Sequence, residues 1–385
     1  MDKIAAFKGY VALIIFTVFI TNVYVANSQE NNVENDLGAI KVAVLLAKTG
    51  EYAISTENQY EIIRLAVKEI NEKGGVLSRK IELIEVDTQS TALGAKFAAR
   101  KVIKSNPVAV IGPGFSSTAH GAALILQEAK IPTIATWATN PNVTLVGDYI
   151  FRVCYVDQFQ GTVMARYALN DLNAKTAVVL TNTGNKYSAG LSEFFMKSFE
   201  ESGGKVLWER GYASSAIDYK PQLLKTKQFN PDVVYIPGYE RDSGHIIKQA
   251  KKMRIASTFL GGDGWDISMY KFGGDAIDDS YFSSHWHRDD TREISQNYVK
   301  RFEKNYGTAD IYALSYDAVS VLADAIKRAK STEPQKIQQS LAKTKNFPGI
   351  TGDITFDDNG DPINKAAVIL KFKNRGIEFV KTISP

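Results

Sequence analysis

Short apolar runs alternate with longer stretches in which apolar residues recur every three or four positions. The runs at 40–46, 80–87, 108–111, 131–135 and 149–156 have the length and content of strands. Between them, 57–72 carries Ile62, Ile63, Ala66, Val67 and Ile70 on one helical face, and 92–104 and 119–129 show the same period. The pattern then begins again. Strands are expected at 176–181, 206–212, 233–237 and 259–260, with helices at 158–172, 190–202, 219–227 and 243–253. Further on come a strand at 281–284 and helices at 294–306, 312–328 and 335–342. The tail differs: 354–356, 367–372 and 377–382 are separated by the turn formers 357–360 and 373–376 and read as hairpins.

Alternating strands and helices imply an α/β fold of parallel-rich sheets covered on both faces. The restart near residue 156 implies two similar lobes, with the later segments returning to them. In such sheets a ligand lies off the carboxyl ends of the strands. Two neighbouring strands of the first lobe end in small hydroxyl residues, Ser116-Ser117-Thr118 and Thr136-Trp137-Ala138-Thr139. Hydroxyls beside the free amides of a helix N-terminus suit a carboxylate. They equally suit helix caps, and Ser55 or Thr56, Ser116 to Thr118 and Asp157 all stand where caps are expected. In the second lobe Tyr187 and Tyr239 each follow a strand, and Asp263 lies in a glycine-flanked turn after another. Each has a bland reading, as packing or as a turn former. As a set they are complementary: hydroxyls for a carboxylate in one lobe, an acid with two tyrosines for an ammonium in the other.

Composition narrows the field. The chain has 385 residues, is 44% hydrophobic, and carries a formal net charge of +4 with no basic block, so nothing calls for a nucleic-acid partner. Residues 1–28 read as a signal peptide, with Lys3 and Lys8, the apolar run 11–20, and the small residues Ala26 and Ser28 before a cut at Gln29. An uncleaved anchor is the rival. Residues 31–36 form a polar leader, and the mature chain is expected to be exported. Cys154 is the one cysteine, so no internal disulfide can form, and its apolar surroundings indicate a buried thiol. Gly112-Pro113-Gly114 lacks the third glycine of a dinucleotide loop, no phosphate loop is present, and Ser116 lacks the flanking glycines of a nucleophile elbow. His120 is expected to point away from Ser116. His285-Trp286-His287 has the look of a metal pair but no third ligand pattern, so a structural role is expected. His245 is expected to start a helix and face solvent. No cofactor, metal or enzymatic activity is expected.

Several stretches, KVAVLLAKTGEYA, AVKEINEKGGVLSRKIELIEVDTQS, AVIGPGFSS, ATNPNVT, PDVVYIPGY, LGGDGWD, YALSYDAV and GITGDITFDDNGD among them, together resemble the leucine/isoleucine/valine-binding family of type I periplasmic solute receptors of ABC importers. The resemblance spans about residues 38–384. It implies two Rossmann-like lobes joined by three crossings, with lobe one at 37–156 plus 287–352 and lobe two at 157–286 plus 353–385. It also implies a periplasmic monomer that takes a small amino acid in the interlobe cleft and delivers it to a membrane permease. Ser116 and Thr139 are then expected to bind the carboxylate, with Ser117 and Ala138 beside them and the Trp137 carbonyl facing the ammonium. Tyr187 and Tyr239 would close from lobe two, and Asp263 would hold the ammonium. Ser55 stands where several relatives have an aromatic, and Trp137 where they often have a small residue, so the side chain accepted stays open. An aromatic or other small carboxylate, an amide or urea, and a sensor serving a separate signalling partner are the alternatives.

Overall fold

The computed structural model describes residues 38–306 and 312–385; the signal peptide and polar leader read from the sequence lie outside them. Five parallel strands build the first sheet: β1 (Ile40–Leu46), β2 (Ile81–Asp87), β3 (Ala109–Ile111), β4 (Thr133–Ala135) and β5 (Ile150–Arg152), in the order β2-β1-β3-β4-β5. Helices α1 (Ala53–Glu72), α2 (Ala92–Lys104) and α3 (Ser116–Glu128) are the crossovers. The apolar stripe Ile62, Ile63, Ala66 and Val67 of α1 is buried, as its spacing requires.

The second sheet begins after α4 (Asp157–Asn170). Its strands are β6 (Thr176–Asn182), β7 (Lys205–Tyr212), β8 (Val233–Tyr235), β9 (Thr258–Gly261), β10 (Tyr281–Ser284), β11 (Ala367–Lys373) and β12 (Gly376–Ile383). Their order is β12-β11-β10-β9-β8-β6-β7. Helices α5 (Lys186–Glu201), α6 (Lys220–Phe229), α7 (Glu240–Lys252) and the short α8 (Tyr270–Gly273) fill the crossovers. The β11–β12 hairpin is antiparallel and pairs antiparallel with β10, so the tail closes one edge of an otherwise parallel sheet.

The chain returns to the first lobe in α9 (Glu293–Tyr306), α10 (Ala313–Ala329) and α11 (Pro334–Ala342). Leu314, Ala318, Leu322, Ile326, Ile337 and Leu341 pack into one core with Ile40, Val42, Val44, Ile63 and Val67. The first lobe is therefore made from two stretches distant in sequence. The return is also longer than the sequence pattern indicates. Ile354 and Phe356 join that core, Gly360 accepts the amide of Arg152 at 3.1 Å, and Phe356 packs on Phe151. These contacts tie residues 354–360 to the first sheet.

Other expectations need correction. Residues 354–356 form isolated bridges to Phe347 and Pro362, not a strand. None of the hydroxyls or acids expected to cap α1, α3 and α4 does so: Tyr52, Phe115 and Val156 stand at the cap positions. Cys154 is buried and unpaired, and burial pushes its thiol up to about 12. Among the described residues no helix is long and apolar enough to cross a membrane.

Candidate functional site

Both strand orders reverse direction once, between β1 and β3 in the first sheet and between β6 and β8 in the second. Chains leaving adjacent strands in opposite directions open a crevice at their carboxyl ends. The first crevice is bounded by Tyr52 and Ser55, after β1, and by Phe115 and Ser116, after β3. The second is bounded by Tyr187, after β6, and by Tyr239 and Glu240, after β8. The two crevices face each other. Ser55 Oγ donates to Glu240 Oε1 at 3.3 Å, Asn185 Nδ2 to the Tyr52 hydroxyl at 3.2 Å, and Asn140 Nδ2 to the Lys186 carbonyl at 3.0 Å. The Tyr239 ring meets Tyr52 and Phe115 edge-on at 5.1 and 5.2 Å. A cavity between them is lined by Ser55, Phe115, Trp137, Tyr187, Tyr239, Glu240, Asp263, Gly264 and Asp266.

Five of the nine residues singled out in the sequence thus share one cavity: Ser55, Trp137, Tyr187, Tyr239 and Asp263. The other four lie beside it. Ser116 is the first residue of α3, fully buried, and its hydroxyl accepts the Asn140 amide at 3.2 Å while its own proton stays available. Thr139 is fully buried, and its hydroxyl lies beside the Asp157 carboxylate. Ser117 instead bridges the lobes, accepting the Lys186 amide at 3.2 Å. Ala138 packs in the core, and its carbonyl accepts from Arg152 at 2.6 Å.

Arg152 is a residue the sequence did not single out. It is completely buried and donates to the carbonyls of Ala138, Asn140 and Pro141, to Thr144 Oγ1, and to Asp361 Oδ1 at 2.6 Å. It fixes the 138–141 loop and so the position of Thr139. Its own charge is matched within lobe one.

The acid in the β9 turn is held from below. Gln160 Nε2 donates to Asp263 Oδ1 at 2.8 Å, and His285 Nε2 lies 2.9 Å from Oδ2. Burial lowers the His285 pKa, opposed by Asp263, so the neutral ring donates through Nε2. His285 therefore positions a site residue. Among the described residues no three metal-ligating side chains gather, and His245 lies half-buried within α7 against Phe272 rather than facing solvent. Gly262 permits this packing: a Cβ there would sit 2.5 Å from the Tyr187 hydroxyl, which itself accepts the Gly264 amide at 3.0 Å.

Asp157, like the cavity-lining Phe115, Glu240 and Asp266, is a residue that sequence reasoning did not place in the site. It begins α4 immediately after the first crossing, is fully buried, and has the Thr139 hydroxyl as its hydrogen-bonding neighbour. Burial, with the charge of Asp263 adding to it, pushes its carboxyl well above the usual range. Two neighbouring acids of this kind are satisfied together by a cation.

The family model for periplasmic binding proteins matches residues 39–376. The chain belongs to the periplasmic binding protein family. It is 29% identical over 341 residues to the Leu/Ile/Val-binding protein homolog 1 of Brucella melitensis, covering 87% of this chain and 90% of that protein. The leucine-binding protein LivK of Thermotoga maritima superposes with a TM-score of 0.87 at 36% identity, covering 90% of this chain and 99% of that one. The branched-chain amino-acid substrate-binding protein LivJ of Streptococcus pneumoniae, solved with isoleucine, superposes at 0.84 with 28% identity, covering 90% and 100%. The two-lobed α/β architecture is the one these periplasmic binding proteins share.

Proposed function

We propose that this periplasmic binding protein captures an α-amino acid between its lobes, outside the cytoplasm, and presents it to the membrane permease of an ABC importer. The observation that carries the reading is the polarity of the cleft. Lobe one contributes the Ser116 hydroxyl, the free amides that open α3, and the Thr139 hydroxyl. Lobe two contributes Asp263 and Asp157. A carboxylate accepted by the first set and an ammonium by the second belong to one zwitterion. Relatives named for leucine, isoleucine and valine binding support the same class.

Tyr187 and Tyr239, stacked at 5.3 Å, then act as the lid from lobe two. The three crossings near 154–157, 285–287 and 362–366 act as the hinge. Ligand contacts made to both lobes at once favour the closed form by differential affinity.

The test is a thermal-shift series on refolded protein, freed of carried-over ligand, against the amino acids and a set of simple carboxylates. A ligand at 100 times its dissociation constant is expected to stabilise by about 2.7 kcal/mol. Shifts with carboxylates that lack an amino group, and none with any amino acid, would remove the proposal.

A further inference from the structure

The cavity holds more acid than an α-ammonium needs. Its lining includes three carboxylates, Asp263, Glu240 and Asp266, and no basic side chain. Asp263 is committed to the Gln160 and His285 side of the cleft. Glu240 and Asp266 share the lining with Ser55 and Trp137. Asp266 is buried, its Oδ2 accepting the Tyr312 hydroxyl at 2.9 Å and its Oδ1 the Ser268 amide at 2.7 Å. Glu240 accepts a 3.3 Å bond from Ser55 Oγ. Burial first, and the Asp266 charge after it, raise the Glu240 pKa well above normal.

The surroundings supply what a cation requires besides an anion. Phe115, Trp137, Tyr187 and Tyr239 present four aromatic rings to the same small space, and ring faces attract desolvated cations. Thr139 and Asp157, both fully buried and neighbours of each other, add a polar pair beside the cavity. An aliphatic side chain would leave Glu240 and Asp266 facing each other in a dry pocket, an arrangement like charges resist.

Resting on the amino-acid reading above, we propose that the ligand carries a second cationic group at the end of its side chain, held by Glu240 and Asp266 inside the aromatic ring set. The substrate class is the basic α-amino acids.

Isothermal titration of the refolded protein with lysine, ornithine and arginine, against leucine and norleucine, tests this directly. Norleucine has the lysine chain without its terminal ammonium. Basic amino acids are expected to bind at least tenfold tighter than norleucine. Glu240→Gln, which keeps shape and removes charge, is expected to cut the lysine preference at least tenfold while norleucine binds as well or better. Leucine or norleucine matching lysine in the unsubstituted protein would overturn the inference and leave the amino-acid reading standing. A lysine-to-norleucine ratio unchanged in both Glu240→Gln and Asp266→Asn would also overturn it. Binding of no amino acid at all would remove both.

Discussion

The two halves of the cleft are built from the same supersecondary plan and offer opposite chemistry. Lobe one presents hydroxyls and helix-end amides, and its buried cation Arg152 is absorbed by Asp361 and three carbonyls. Lobe two presents carboxylates at α4, α7 and the turns after β9. Neutral donors aimed from a helix start suffice for an anion. An ammonium has no equivalent among backbone donors and needs acceptors that carry charge. On the reading proposed above the asymmetry orients a zwitterion, and the three acids that line the cavity all come from lobe two.

The sharpest way to break this contrast is to unbalance lobe one. Arg152→Met leaves Asp361 buried without its partner and frees the 138–141 loop. A loss of about 3–5 kcal/mol in urea unfolding is expected. A loss below about 1 kcal/mol would mean that the ion pair does not organise the loop.

Next comes lobe two. Asp263→Ala is expected to weaken an amino acid by roughly 2–4 kcal/mol in calorimetry. A ligand with the carboxylate but no amino group is expected to lose nothing; equal losses would contradict the ammonium role. Ser116→Ala is the mirror experiment, with roughly 1.5–3 kcal/mol lost for both ligand kinds. If only the amino acid suffered, the division of labour between the lobes would be wrong.

The smallest effect concerns the other buried cation near the last crossing. Lys365 reaches Thr351 Oγ1 at 2.5 Å, and burial lowers its pKa to about 8 against the attraction of Asp317. A lysine whose folded pKa is depressed holds fewer protons folded than unfolded between that value and its ordinary one. Stability should therefore rise with pH from about 8 to 10, by at most about 1.4 kcal/mol per unit. Comparing urea midpoints of the native protein and Lys365→Met across that window isolates the slope. Parallel curves would show that Lys365 stays charged when folded.

Much of the fold was legible because it is written in local periodicity. β1, α2 and β10 match their expected bounds to the residue. Helix starts fared worse. The stretch 186–189 reads as polar turn, yet Asn185 accepts the Tyr187 and Ser188 amides and starts α5 there, so Tyr187 stands on the first helical turn. Several contacts that shape the site join residues far apart along the chain. His285 meets Asp263 across 22 positions, Arg152 meets Asp361 across 209, and Ser55 meets Glu240 across 185. No spacing rule reports such pairs. Tyr187, Tyr239 and Asp263 were visible because each follows a strand, the one place where local order predicts a crevice.

The Arg152–Asp361 pair also constrains how the molecule comes into being. The loop that carries Thr139 is finished by Asp361, 209 positions after Arg152. A nascent chain that has emerged through β5 holds the hydroxyls but not the counterion that steadies them. Closing so long a loop is slow, so ligand capture should wait until Asp361 has docked on Arg152, whichever lobe collapses first.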